Sequence, residues 1–217
     1  RQLDLATSCL TRLRSEPPPS PSPGFREEAY YCDTDGSVQP FLRYIPKTPL
    51  DAGVKRPLLV FLHGYNPYLN LVNWAGSVPE NLAAFAEREG FAVAAPFGRG
   101  NTDYQGIGEQ DVLTVIETMK SRYDVDPDRI ILSGHSMGGM GVWSIGARHP
   151  DRFAGLLIVS GRGDYYAWHR RQPADMPFYK RAWIETWFAA PRVERLSTIP
   201  IYCAHGARDD LVPVREA

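Results

Sequence analysis

Apolar positions along this chain change period repeatedly, and each change marks an element. Residues 29–32 and 41–45 are β-like stretches on either side of the turn-rich Asp33-Thr34-Asp35-Gly36, which predicts a hairpin. Residues 56–62 are almost continuously apolar, as a strand covered on both faces should be. A helix is expected over 79–89, with Leu82, Phe85 and Ala86 on one side. Residues 91–95 form the next strand, closed by Pro96. A loop with Gly98, Gly100 and Gly106 leads into a helix from about 109 to 122. There Val112, Val115, Ile116 and Met119 make an i, i+3, i+4, i+7 stripe. Asp126-Pro127-Asp128 interrupts the chain before the short branched run Ile130-Ile131-Leu132. The helix after Ser136 runs to about 148. Met140, Val142, Trp143 and Ile145 make it apolar nearly all round, hence buried, and His149-Pro150 ends it. Strands follow at 156–159 and 200–204, separated by a longer irregular segment at 161–198 with one helix near 178–189. Strands alternating with helices predict an α/β fold with a mostly parallel sheet, helices on both faces, and ligands at the carboxyl ends of the strands.

The N-terminal stretch breaks this pattern. Leu3, Leu5, Leu10 and Leu13 give residues 1–14 a weak helical pattern, and residues 15–24 are half proline. That composition suits a polyproline-type spacer, with an SH3-type ligand as the other reading. Residues 1–28 are therefore an expected extension, 29–217 a single domain, and 161–198 a cap-like segment within it. The chain opens on Arg1 with no signal-peptide pattern, so any targeting segment is expected to have been removed or to lie outside these residues. Composition adds mainly exclusions. With 217 residues, 43% hydrophobic and 24 basic against 25 acidic groups, the chain can bury a sizeable core. It carries no charge signature for nucleic acid or a membrane surface, and its apolar runs are too short to span a bilayer. Three cysteines, Cys9, Cys32 and Cys203, make neither a disulfide framework nor a zinc site. Cys203 is expected as a buried thiol, and a Cys9–Cys32 bridge stays open. No metal or cofactor is called for, and compartment and oligomeric state are not set by the sequence.

The chemistry centres on Gly134-His135-Ser136-Met137-Gly138, which fits G-x-S-x-G between an expected strand and an expected helix. A Gly-rich turn would share that pentapeptide. Its setting favours a nucleophilic Ser136 with the helix N-terminus aimed at the same spot. A serine hydroxyl needs a base, an acid to orient the base, and donors for the oxyanion. The donors should be the N–H of Met137 and one from the loop after an earlier strand; His63-Gly64-Tyr65 is placed for this, with Tyr65 as second donor. His63 suits a structural role in that loop better than a base. The acid should follow a later strand: Asp209 is better placed than Asp210, and Asp164 is a third choice. The base is not evident. In this order of residues a histidine should follow the acid, and none lies beyond Asp209. His135 adjoins Ser136 and points apart from it. His149 is at the far end of the helix, roughly 20 Å away at 1.5 Å per residue. His205 is a strand-end residue and His169 lies in the cap. The final strand, the loop with the histidine and a last helix are expected beyond Ala217.

Several motifs in order resemble a known family. They are Asp35-Gly36-Ser37-Val38-Gln39-Pro40-Phe41, Val60-Phe61-Leu62-His63-Gly64, Pro96-Phe97-Gly98-Arg99-Gly100, Asp128-Arg129-Ile130, Gly134 to Gly139, Pro150-Asp151-Arg152-Phe153-Ala154 and His205 to Pro213. Together, over about 30–214, they resemble α/β-hydrolases of the prolyl-oligopeptidase-like and dienelactone-hydrolase-like kind, a group that includes feruloyl and acetyl-xylan esterases and polyhydroxybutyrate-depolymerase-like enzymes. The resemblance implies an α/β-hydrolase fold, Ser136 as nucleophile, Tyr65 and Met137 as oxyanion donors, and Asp209 as acid. The expected activity is hydrolysis of a small-molecule or carbohydrate-linked carboxylic ester through an acyl-enzyme. A serine peptidase and a non-catalytic binding module are the alternatives. Trp168, Trp183 and Trp187, with Tyr165 and Tyr166, could wall a phenolic acyl group or a sugar ring, or simply pack the cap. Trp183 and Trp187 are one helical turn apart. Arg162, Arg170, Arg171, Lys180 and Arg181 make the cap basic, which fits a solvated face or an anionic substrate; Arg99 could reach the pocket mouth or be structural.

Overall fold

In the computed structural model, which describes residues 22–214, the apolar runs become strands β1 (Gly24–Cys32), β2 (Ser37–Ile45), β3 (Arg56–Leu62), β4 (Ala92–Pro96), β5 (Val125–His135), β6 (Gly155–Val159) and β7 (Ile201–Ala204). The amphipathic stretches become helices α1 (Asn81–Glu89), α2 (Ile107–Arg122), α3 (Met137–Arg148), α4 (Tyr165–His169) and α5 (Phe178–Trp187). The strands form one sheet in the order β1-β2-β4-β3-β5-β6-β7. The β1–β2 and β2–β4 pairs are antiparallel and the rest parallel.

The continuous apolar run was the best guide to the centre. β3 lies between β4 and β5, and Leu58, Val60 and Leu62 are fully buried. They join the main core with Val112, Val115, Ile116 and Met119 of α2 and Val142 and Ile145 of α3. Leu59, alternating to the other face, meets Tyr44, Ala86 and Val93. All residues of α3 except Trp143 and Arg148 are buried. This is the α/β-hydrolase arrangement, with helices on both faces of a mostly parallel sheet.

Four details differ from the expectation. Residues 24–28, assigned to the extension, belong to β1. Their polar sequence suits an edge strand, where Glu28 accepts from Arg43 Nε at 2.9 Å and Phe25 packs edge-on against Tyr44. Asp126-Pro127-Asp128 lies inside β5 as an irregularity. Val125 pairs with Arg56 and pairing resumes at Ile130 with Leu58, because Pro127 has no N–H to give the ladder. Cys203 is exposed, since β7 is the outermost strand among the described residues. The 178–189 helix ends at Trp187. The pattern at 1–14, most of the proline spacer and Cys9 of the open Cys9–Cys32 pairing fall outside the described residues; Cys32 itself is buried. The cap-like segment packs on the domain through Met140, Ile184 and Phe188, with Tyr165, Tyr166, Met176 and Trp187 around them.

Candidate active site

Ser136 sits between β5 and α3 with φ 55° and ψ −115°. Few non-glycine residues hold such a backbone, and the surroundings must impose it. Its N–H donates to the Val159 carbonyl at 2.8 Å and its carbonyl accepts from Met140 N–H at 3.0 Å. The turn closes only because its flanks lack side chains. A Cβ on Gly138 would collide with the Leu62 carbonyl oxygen, and one on Gly134 with the carbonyl oxygen of Gly138. Met137, 2% exposed, is the first residue of α3, where a helix leaves N–H groups without intrahelical partners.

The loop after β3 runs directly beside this turn. A Cβ placed on Gly64 would be 3.6 Å from Ser136 Cβ and 3.2 Å from His135 Nδ1. His63 is buried and anchors the loop, its ring nitrogens 2.9 Å from the Gly64 carbonyl and 3.1 Å from that of Phe97. Its N–H donates to the Tyr104 hydroxyl at 2.8 Å. Tyr104 was not singled out from sequence, although it is fully buried and has φ 53°. Burial holds its hydroxyl well above the ordinary tyrosine range, against the His63 hydrogen bond, so it remains a neutral prop under the loop. Nothing in its Gly-rich neighbourhood distinguishes it locally. The Tyr65 side chain is 65% exposed.

Asp209 follows β7. Its Oδ1 accepts from Leu211 N–H at 3.0 Å and Val212 N–H at 2.9 Å. The Val212 bond above all, then those from Leu211 and the Ser160 side chain, hold its carboxyl below the usual carboxylate range. Asp210 is exposed. Asp164 caps α4, accepting from Tyr166 N–H at 2.8 Å and Ala167 N–H at 3.4 Å, which accounts for it structurally. Tyr65, Ser136, Ser160 and Asp209 thus follow the carboxyl ends of four neighbouring parallel strands, β3, β5, β6 and β7. Three further histidines have contacts of their own. His149 Nε2 lies 2.6 Å from Glu109 at the far end of α3. His205 Nε2 is 2.6 Å from the Val212 carbonyl and 3.6 Å from Asp209 Oδ2. His169 stacks on Tyr165, with ring centroids 4.2 Å apart.

The three cap tryptophans separate. Trp168 Nε1 donates to the Leu211 carbonyl at 3.4 Å, which ties it to the Asp209 loop. Trp183 is 52% exposed and lines a cleft of about 670 Å³ with Tyr165, Met176 and Tyr179. Trp187 lies under the Arg148 guanidinium, 4.2 Å from its ring centroid. Arg99 does not line the mouth as a free cation: Nε meets Asp111 at 2.7 Å and Nη1 meets Asp35 at 2.5 Å. Arg162 leaves the solvated face assigned to it and is buried. Among the described residues no cluster of His, Cys, Asp and Glu could hold a metal ion, and no helix is long and apolar enough to cross a membrane.

Residues 78–217 match the profile of the prolyl oligopeptidase family. The chain is 29% identical over 174 residues to a bifunctional acetylxylan esterase/xylanase of Neocallimastix patriciarum, covering 76% of this chain and 21% of that protein. It is 31% identical over 148 residues to dipeptidyl-peptidase 5 of Porphyromonas gingivalis, covering 62% of this chain and 21% of that protein. A thermostable esterase of solved structure superposes with a TM-score of 0.60 at 25% identity, over 88% of this chain and 48% of that one. The chain therefore spans about a fifth of the length of these two sequence relatives.

Proposed function

Because the chain belongs to the prolyl oligopeptidase family of serine hydrolases, we propose that it cleaves carboxylic esters through an acyl-enzyme on Ser136. The observation that carries this reading is the backbone of Ser136, held at φ 55° between a strand and a helix, with Gly64 so near that a Cβ there would stand 3.6 Å from the Ser136 Cβ. Strained backbone of this kind clusters at active sites, where the surrounding structure holds it in place. In the proposed reaction the Ser136 oxygen attacks the ester carbonyl, and the N–H groups of Tyr65 and Met137 bind the oxyanion. The alcohol leaves with a proton, and water then releases the acid from the serine. Asp209, kept ionised by its backbone hydrogen bonds, orients the base. The base itself is a histidine outside residues 1–217 in this proposal, because each histidine present is engaged elsewhere or misplaced.

Esters rather than peptides are favoured by the names of two relatives, an acetylxylan esterase and a thermostable esterase. The likeness to a dipeptidyl-peptidase supports the second reading, amide cleavage at the same serine. The test is made on the full-length protein. A fluorophosphonate should attach to Ser136, and Ser136→Ala should lose labelling and at least about 10³-fold of turnover. Aryl esters of short, feruloyl and sugar-linked acids should be hydrolysed faster than aminoacyl arylamides. The reverse ranking selects the peptidase. No adduct at Ser136 leaves the non-catalytic binding module.

A further inference from the structure

Arg162 follows β6 by three residues and is only 9% exposed. A buried guanidinium normally has a carboxylate bonded to it. Here Nε is buried without a hydrogen-bond partner, and among the described residues no ion pair forms on this side chain. The guanidinium stacks on the face of Trp168, with Cζ 3.5 Å from the ring centroid. The negative charge it feels is that of Asp103. That residue is half-buried, and the desolvation pushes its carboxyl up toward the neutral form, against the charges of Arg162 and His169. Burial also pushes the Arg162 guanidinium down, with only Asp103 pulling back. The cation is held in place and left without a full counter-ion.

Its neighbours in the chain touch both the helix after Ser136 and the Asp209 loop. Gly161 crosses the first turn of α3, where a Cβ on Gly161 would stand 2.7 Å from the Gly139 carbonyl carbon. The Trp168 ring beneath Arg162 is bonded to the Leu211 carbonyl in the Asp209 loop. Arg162 is thus preceded by a residue packed on the first turn of α3 and is itself stacked on a ring bonded to the acid loop. A planar guanidinium, stacked on one face, presents its fork to a carboxylate in two parallel hydrogen bonds.

We propose that Arg162 is an anion subsite beside Ser136, and that the preferred esters carry a free carboxylate that binds it. This rests on the hydrolase reading above for its consequence in turnover, though not for binding. The test compares 4-nitrophenyl hydrogen succinate with 4-nitrophenyl butyrate on the full-length protein. Wild type should favour the succinate by at least about 10-fold in kcat/KM. Arg162→Met should lower the succinate-to-butyrate ratio about 30-fold or more, and Arg162→Lys should recover part of it. A merely structural arginine would lower both rates together and leave the ratio alone. No preference in wild type, or an unchanged ratio in Arg162→Met, overturns the proposal. Calorimetric binding of the succinate ester to Ser136→Ala, with and without Arg162→Met, reads the subsite without turnover. Binding that depends on Arg162 in a protein with no esterase activity would retain the subsite and sink the hydrolase reading. Hydrolysis of both esters with Arg162-independent binding would do the opposite.

Discussion

Arg99 and Arg162 occupy comparable places and live differently. Each follows a parallel strand of the sheet by three residues, β4 and β6 respectively, and each is withdrawn from solvent. Arg99 is clasped between Asp111, whose side chain is 2% exposed, and Asp35 of the β1–β2 turn. Burial works against its charge, yet the bonds to both carboxylates hold its guanidinium above the ordinary arginine value. Arg162 has an indole in place of those carboxylates. A cation that ties the hairpin to α2 has its bonding capacity used up. A cation resting on a ring keeps its fork available. The difference separates a brace from a binding group, where the sequence offered Arg99 a place at the pocket mouth or a structural role and Arg162 a solvated face or an anionic substrate.

Stability is the sharpest way to break this comparison. Arg99→Met leaves Asp111 buried without its partner and should cost about 3–5 kcal/mol in urea unfolding. Arg162→Met exchanges an unpaired buried cation for an apolar chain over Trp168 and should fall within about 1 kcal/mol of wild type. Equal losses in the two variants would make Arg162 a brace as well. Tyr104→Phe comes between them, since His63 N–H then loses a buried acceptor; about 1–3 kcal/mol is expected, together with slower fluorophosphonate labelling of Ser136.

The legibility of this molecule follows the range of the forces involved. β3 and the α2 stripe were readable because burial imposes a period on a short stretch of chain. The Ser136 turn was readable for a related reason: its glycines, four residues apart, are demanded by contacts within the turn and with the adjacent strand. The preference for Asp209 over Asp210 rested on spacing after the last strand; the side chain that turns back to Leu211 and Val212 N–H belongs to Asp209. Residues 24–28 escaped because an edge strand needs no apolar alternation, and Cys203 was misplaced for the same reason at the opposite edge. Arg162 could not be found this way. It is stacked on Trp168, six residues on, and feels the charge of Asp103, some sixty residues back in the chain; no apolar period or motif encodes that pairing.

The carboxylates facing the two arginines extend the contrast to pH, with the smallest effect. The Arg99 bond first, then those of Ser37, holds Asp35 below the usual carboxylate range. Folding thus favours its charged form. That stabilisation is present above the unfolded value, near about pH 4, and is lost as pH falls through the folded value. Asp103 runs the other way. Burial raises its carboxyl, so folding favours the protonated form, and its contribution is lost as pH rises from about 4 through the raised value. Asp35→Asn should therefore be less stable than wild type at pH 7, and Asp103→Asn more stable. Both differences should shrink as the pH is lowered toward 3, where Asp35 gains a proton in the unfolded chain and Asp103 in the native protein. Urea midpoints measured from pH 3 to 7 check this. Differences of the same sign at pH 7 would mean that Asp103 is a working counter-ion for Arg162, leaving the guanidinium with no more free bonding capacity than Arg99 has.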